Sequence, residues 1–408
     1  MDQRVSCCIA GGGPAGMMLG VLLARAGIKV LVLEKHQDFL RDFRGDTIHP
    51  STLQVMDELG WLDDLLRLPH QKVEKLSGQF GDTPLTVADM SHLPVKSKFI
   101  ALMPQWDFLD FLADKGRAYP GFDLKMNAEA LDLVSHGGRV TGVKVRTDES
   151  PMIVNADLVV AADGRSSTLR KAAGFVSEDF GAPMDVMWFR LPRLEGDTDQ
   201  TQARFDAGHL FVMLQRGDYW QCAYVIPKGG DARVRAGGLD AFRKSVGRLL
   251  PFAAERANDI PDWDHVKLLT VTVDRLKEWA RPGLLCIGDA AHAMSPVGGV
   301  GINLAIQDAV AAANLLWKPL KEKRLRFEDL KAVQARRDFP TRATQRLQLI
   351  MQNTLIAPTL AATSNVKPPL LLRLLTGVPY VSRIPARLLG LGFRPEHVSA
   401  EIRAGQAA

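Results

Sequence analysis

The sequence predicts an α/β protein. A mainly parallel, doubly wound sheet is interrupted by an inserted antiparallel sheet, and helices close the C-terminal end. Three observations carry this. A buried-strand pattern, a glycine turn, a helical pattern and a second buried strand follow one another over residues 5–35. Short alternating strands replace that pattern over 183–275. A strand, a Pro/Gly-rich loop and a long apolar helix then return from Leu284 onward, followed by a charged helix over 320–350. The expected boundaries are 1–182 for the first part of the parallel domain, 183–275 for the inserted sheet, 276–340 for the second part and 341–408 for a C-terminal helical segment. Strands within 72–102 are expected to join the inserted sheet.

In chain order, "VSCCIA" is a short buried strand, "PAGMMLGVLLARAG" has helical spacing with Gly27 as its stop, and "IKVLVLEK" is a second buried strand. Helical periodicity follows Pro50, residues 72–102 alternate, and 106–118 form an amphipathic helix. Short strands over 121–162 turn at Gly137-Gly138 and return to the first sheet at "DLVVAADG". In the inserted sheet, Arg216-Gly217-Asp218 separates two strands as a hairpin turn.

Composition narrows the class. The 408 residues are 46% hydrophobic and 24% charged, with ample length for a core. Cys7, Cys8, Cys222 and Cys286 form no C-x-x-C pair, and three lie in apolar runs, which implies buried thiols in a reducing cytoplasm. The nine histidines show no metal-ligand spacing, so no metal is expected. No secretory signal opens the chain, and no charge-free apolar stretch is long enough to span a bilayer. The net charge of +5 is uneven: residues 318–408 hold 16 Lys/Arg and 6 Asp/Glu, a net +10, leaving −5 for 1–317. That tail contains "LLLRLLTGVPYVSRIPARLLGLG", which is expected to pack on the core, with contact to an anionic membrane surface kept open. No basic stripe interleaved with aromatics marks nucleic-acid binding.

The glycine turn is G-x-G-x-x-G at Gly11, Gly13 and Gly16, with Pro14 and Ala15 inside it. The first glycine makes the tight turn, the second lets a pyrophosphate approach the backbone, and the third lets helix and strand pack closely. The helix start then offers free N–H groups and a positive dipole end. Glu34, beside Lys35, closes the second strand 23 residues after Gly11, where an acid hydrogen-bonds a ribose hydroxyl. This is a dinucleotide site. A second carboxylate, Asp289, follows the strand at Leu284–Ile287, and a new helix starts near Gly299. A carboxylate at a strand end suits a polyol chain, and a helix N-terminus suits an anion. A reduced flavin has both features and a nicotinamide has neither, which points to FAD.

"GGGPAG" with "EK", "LVVAADGRSSTLR" and "CIGDAAHAMSPVGGVGINLAIQDA" resemble, in order and spacing, the three fingerprints of the class A flavoprotein monooxygenases, the p-hydroxybenzoate hydroxylase-like family. The likeness extends over about residues 1–340. It implies a Rossmann-like FAD-binding domain with an antiparallel-sheet substrate domain inserted, non-covalent FAD, NADH or NADPH as transient electron donor, and oxygen insertion from O2. On this resemblance Arg44 lies near the flavin, Gln105 contacts FAD, and Asp163-Gly164 serves both FAD and the nicotinamide. Asp289 holds the ribityl chain, and Pro296 and Gly298–Asn303, with Gly299, Gly301 and Ile302 among them, line the isoalloxazine. Met187, Trp188, Met213, Trp220 and Tyr224 are candidates for the substrate wall. His49 and His292 are expected to orient loops rather than carry protons.

The implied reaction is hydroxylation of an aromatic, typically phenolic, molecule through a flavin C4a-hydroperoxide in a water-excluding pocket. No catalytic base is assigned. A flavin-dependent reductase or dehydrogenase, a halogenase, and a non-enzymatic lipid-binding protein on the same scaffold are the other readings. The halogenase W-x-W-x-I-P signature falls on Cys222, Tyr224, Ile226 and Pro227, without either tryptophan. Only one G-x-G-x-x-G is present, unlike a glutathione-reductase-like enzyme. A monomer or homodimer in the cytoplasm, with peripheral membrane contact as an option, is expected.

Overall fold

The computed structural model describes residues 3–40, 47–198, 201–364, 366–370, 373 and 383–405. Arg44 lies outside the described residues, as do 371–372 and 374–382 of the apolar tail.

The strand Gln3–Ala10 lies at the centre of an eight-stranded sheet. Val5 and Cys7–Ala10 are all buried, as a central parallel strand covered on both faces requires. It pairs in parallel with Val30–Leu33 on one side and Met152–Ala161 on the other. Phe122–Lys125 and Leu284–Cys286 extend the parallel set. Glu129–His136 and Arg139–Arg146 form a hairpin on the Met152–Ala161 strand. Its turn is the expected Gly137-Gly138, with φ of +57° and +77°. The register is the important feature. Ala10 is paired with Leu33 and with Ala161, and Ala161 with Cys286. All three sequence motifs therefore leave the sheet along one edge.

The first helix, Pro14–Arg25, covers one face and packs on Gly301–Lys321. The latter is long and apolar enough to cross a membrane, but it is mostly buried inside the fold as a core helix.

The second sheet has seven strands in the order Lys267–Leu269, Met184–Pro192, Tyr219–Pro227, His209–Gln215, Gln202–Asp206, Lys75–Phe80 and Thr83–Asp89. Only the Gln202–Asp206 and Lys75–Phe80 pair is parallel. From the 72–102 region, Ile100–Leu102 instead pairs with Gln71–Val73 on one side and Thr47–Ile48 on the other in a small separate sheet. Residues 183–275, expected as strands alone, also contain the helices Asp231–Ala236 and Leu239–Leu249. The second is amphipathic: Phe242, Val246 and Leu249 face one side of the sheet.

That helix corrects the substrate-wall assignment. Met187, Met213, Trp220 and Tyr224 share the face it covers and form a core with Phe189, Phe211 and Phe242. Trp220 donates Nε1–H to Asp197 (3.1 Å), and Tyr224 Oη bonds His209 and Ser245 (2.9 Å each). Of the five, only Trp188 is on the opposite face. There Met184, Val186, Leu210, Ala223 and Val225 pack with Val271, Ile356 and the loop residue Val297.

The charged helix runs Phe327–Met351, straight through the expected boundary at 340, and continues through a π turn, Gln352–Ile356, into Ala357–Ala361. The tail helix Arg383–Gly390 follows. Ala386 and Leu391 are buried against Ala88, Met90, Leu93, Ile100 and Leu102. In the described part of the tail, Ala386 and Leu391 thus pack inside the protein, while Leu370 and Ile384 are exposed.

A buried ionic network joins these parts. Asp308 Oδ2 accepts from Gly288 N (3.1 Å) and bonds His292 Nε2 (2.6 Å), while Oδ1 accepts from Arg337 Nε (2.9 Å). Arg337 also approaches Glu396 Oε1 (3.6 Å), which Arg336 holds at 2.9 Å. Burial pushes the Asp308 carboxyl up, but His292 and Arg337 outweigh it and hold its pKa below the usual range. Removing one member of such a group strands the others. We expect Asp308→Asn to lower unfolding free energy by about 3–5 kcal/mol in denaturant titrations. The contribution is complete above the unfolded Asp pKa, near pH 4, and is lost as pH falls through the depressed folded value. An Asp308→Asn protein as stable as wild type at pH 7 would show that the network carries no net stability.

Candidate cofactor site

The glycine turn is shaped by steric exclusion. Gly11 has φ +106°, and a Cβ there would overlap the Ala162 carbonyl. A Cβ at Gly16 would overlap the Gly11 carbonyl. Gly13 is different: its φ of −75° suits any residue, and nothing lies within 4 Å of a Cβ placed on it. Its openness therefore serves something that approaches from outside. Pro14 begins the helix, where a missing N–H is harmless, and no side chain caps that end. Ala15 is buried. Glu34 accepts from Gly12 N (3.0 Å) and His36 N (3.1 Å), which fixes the acid beside the turn, and Lys35 next to it is exposed.

From the next strand end, Asp163 accepts Thr168 N (2.8 Å) and Leu169 N (3.3 Å) through Oδ2. Its Oδ1 is buried with no hydrogen-bond partner among the described residues. Burial raises its pKa against the bonds from Ser167, Leu169 and Thr168. Gly164 follows at φ +82° with open space beside it. From the third strand end, Gly288 (φ +58°) fits between Ala15 and Ala305, the starts of the two core helices. Asp289, next to it, is one-third exposed and lies 3.5 Å from Arg165 Nη2. Gln105 is a half-buried first residue of the helix Gln105–Arg117, which packs along the first helix.

Pro296 leads into a turn, Val297–Gly299, ahead of the Gly301–Lys321 helix. Gly298 and Gly299 have φ of +78° and +64°, and a Cβ on Gly299 would collide with Thr47. Thr47 Oγ1 donates to Gly299 O (2.7 Å). Asn303 Oδ1 accepts from His49 N (3.0 Å) and Thr52 Oγ1 (2.7 Å). Ile302 and Asn303 are buried, while Gly301 has nothing within 4 Å of a Cβ position. His49 is buried. Leu389 O lies 2.9 Å from Nδ1 and can only accept, so Nδ1 carries the proton. Nε2 has no hydrogen-bond partner among the described residues. Burial pushes the imidazole down to about 4, against the carbonyls of Leu389, Gly298 and Gly299.

Two helix N-termini without side-chain caps thus begin at one packing point, each with the equivalent of about half a positive charge. The open Gly13 and Gly301, a carboxylate at a strand end, and unpartnered Asp163 Oδ1 and His49 Nε2 fit a long, phosphate-bearing ligand that runs along the edge. FAD has this form. Sequence reasoning missed Thr47, Asp308 and the glutamines Gln345, Gln348 and Gln352. A trace of Asp308 was visible as a lone carboxylate in the apolar run "INLAIQDAVAAA".

Comparison with known proteins agrees. A family model described as "FAD binding domain" matches residues 4–347. The 6-methylpretetramide 4-monooxygenase of Streptomyces rimosus is 32% identical over 383 residues, covering 93% of this chain and 89% of that protein. Among solved structures, p-nitrophenol 4-monooxygenase from Pseudomonas putida DLL-E4 has a TM-score of 0.77 at 19% identity, with all of both chains covered. OxyS anhydrotetracycline hydroxylase from Streptomyces rimosus has 0.76 at 23% identity, covering 98% of this chain and 78% of that one. The two structures are similar in fold.

Two expectations follow from this geometry. Gly13→Ala should fold with a melting temperature near wild type yet bind FAD more weakly, whereas Gly11→Ala should be hard to fold. Equal FAD affinity in Gly13→Ala, measured by titrating the apoprotein, would remove Gly13 from the site. For His49, the unfolded pKa is near 6.5 and the folded value about 4, so the unfolded chain takes up the proton first. Stability is complete above pH 6.5 and falls on acidification toward pH 4, by about 3 kcal/mol in total. In His49→Gln apoprotein, denaturant midpoints between pH 7 and 4.5 should decline less than in wild type. Parallel declines would contradict the assignment.

Proposed function

The chain belongs to the class A FAD-dependent aromatic monooxygenases, and on that footing we propose that it hydroxylates an aromatic, phenolic or similarly electron-rich small molecule. FAD is its resident cofactor, NADH or NADPH the electron donor and O2 the oxygen source. The observation that carries this reading is the convergence of three strand ends and two uncapped helix starts beside the inner face of a second sheet.

When bound, FAD supplies the redox chemistry: electrons from the nicotinamide and oxygen transfer from O2. The chain's own residues position and shield. Gly11, Gly13, Pro14, Ala15 and Gly16 would receive the pyrophosphate, Glu34 and Lys35 the adenosine end, and Asp289 the ribityl hydroxyls. Gln105, Asp163 and Gly164 lie on elements that border this path. Pro296, Gly298, Gly299, Gly301, Ile302 and Asn303 would flank the ring system, where the unpaired N–H groups of the helix start favour negative charge. Trp188, Val186, Ala223 and Val225, packed toward Val297, give the substrate side an apolar wall that excludes water. The relative that acts on 6-methylpretetramide makes that compound the first to try.

Purified protein supplied with FAD, NADH or NADPH and a panel of phenols plus 6-methylpretetramide should form a hydroxylated product, with one oxygen atom derived from labelled O2. FAD-loaded protein that hydroxylates nothing in the panel, while reducing an olefin or halogenating a ring, would move the assignment to another flavoenzyme class. Asp289→Ala should weaken FAD binding roughly 10- to 100-fold, the loss of a charged hydrogen bond. Unchanged affinity would remove Asp289 from its role.

A further inference from the structure

The helix Phe327–Met351 carries three glutamines, Gln334, Gln345 and Gln348, and Gln352 follows just past its end, all at spacings close to multiples of the helical repeat. All four side chains bond to groups of the parallel-sheet domain. Gln334 accepts from Trp279 N (2.9 Å) and donates to Lys277 O (2.9 Å). Gln345 donates to Asp274 O (2.8 Å) and Ala293 O (3.0 Å). Gln348 donates to Ser295 O and Val297 O (2.9 Å each) and accepts from Ser295 N (3.3 Å). Gln352 donates to Ser295 Oγ (2.6 Å). The last two are at most 3% exposed. They hold the residues on either side of Pro296.

Two features distinguish the Gln352 end from an ordinary packing contact. It lies at a π turn, a helical defect that is rare and concentrated at functional sites. Gln352 Oε1 is also buried with no hydrogen-bond partner among the described residues, a cost folding alone would remove. Four residues on, Ile356 packs on the inner face of the second sheet. One helix end thus touches both the loop and the wall opposite it.

We propose that Gln348 and Gln352 are positioning residues that set the conformation of the Pro296–Val300 loop and, on the reading that this loop lines the flavin, the placement of the ring. Gly298 and Gly299 in this loop have positive φ and no side chains to hold them, so the shape of the turn is imposed by neighbours. Thr47 holds the Gly299 carbonyl from one side, and the glutamines hold Ser295 and Val297 from the other.

The test compares Gln348→Met and Gln352→Leu with Gln334→Met, which loses equivalent bonds far from the loop. Hydrogen exchange of the amides of Val297–Val300 is measured in the apoprotein, and FAD affinity and the visible flavin spectrum in the reconstituted protein. The loop variants should exchange about tenfold faster there, bind FAD about tenfold more weakly and shift the flavin band, while Gln334→Met changes none of these. Loop variants indistinguishable from Gln334→Met would overturn the proposal. If Gln348→Met does not fold, Gln352→Leu, which loses a single bond, decides by the same comparison. A wild-type protein that takes up no FAD would defeat the cofactor reading, and the amide exchange would still decide this one.

Discussion

Ala10, Ala161 and Cys286 end three adjacent parallel strands in register, and the geometry of the site follows from that line. Each strand end releases a loop that carries one motif, so segments far apart in sequence meet at one edge. The helices can begin there only because the residues between them are small. Gly16 lies against the Gly11 carbonyl, and Gly288 lies between Ala15 and Ala305. Larger side chains at these points would push the helix starts apart and separate the two positive ends. The ligand's charge pattern is thus anticipated by steric exclusion in the backbone, at the carboxyl edge of a parallel sheet where such folds bind.

This arrangement is unfavourable when considered alone. Helix starts without caps, a buried Asp163 Oδ1 and a buried neutral His49 with an unpartnered nitrogen all cost stability. The support lies behind them. Asp308 holds Gly288 N and His292 on one side and Arg337 on the other, so the turn that presents Asp289 is anchored to the helices Gly301–Lys321 and Phe327–Met351. The glutamine stripe anchors the segment leading to the Pro296–Val300 loop. The tail helix closes the remaining side through Leu389, whose carbonyl meets His49 and whose side chain limits Gly298.

The parallel domain was legible because its signals are local. Glycines sit where backbones touch, and the strands are apolar on both faces. The two faces of the inserted sheet were legible only in part. The sequence offers Met187, Trp188, Met213, Trp220 and Tyr224 as one set of candidates and does not tell which face of the sheet a helix covers. The helix Leu239–Leu249 decides that, and its Phe242, Val246 and Leu249 spacing was a helical signal inside a region assigned to strands. Arginines interrupt the tail's apolar run, so the sequence points to core packing but leaves contact with a membrane surface open. In the structure Arg383 and Arg387 are exposed on a short helix that buries Ala386 and Gly390. Arg337 and the glutamines could not be placed from sequence, because their partners lie 29 or more residues away.

The central claim is that one ligand bridges the Gly13 turn and the Asp289 loop. Titrating the apoprotein with FAD, FMN and riboflavin, followed by flavin fluorescence, tests it most directly. The account predicts one FAD per chain and binding of FMN and riboflavin weaker by about 100-fold or more, because neither reaches the first helix. Equal affinity for all three would contradict it, since the glycine turn would then contribute nothing to binding.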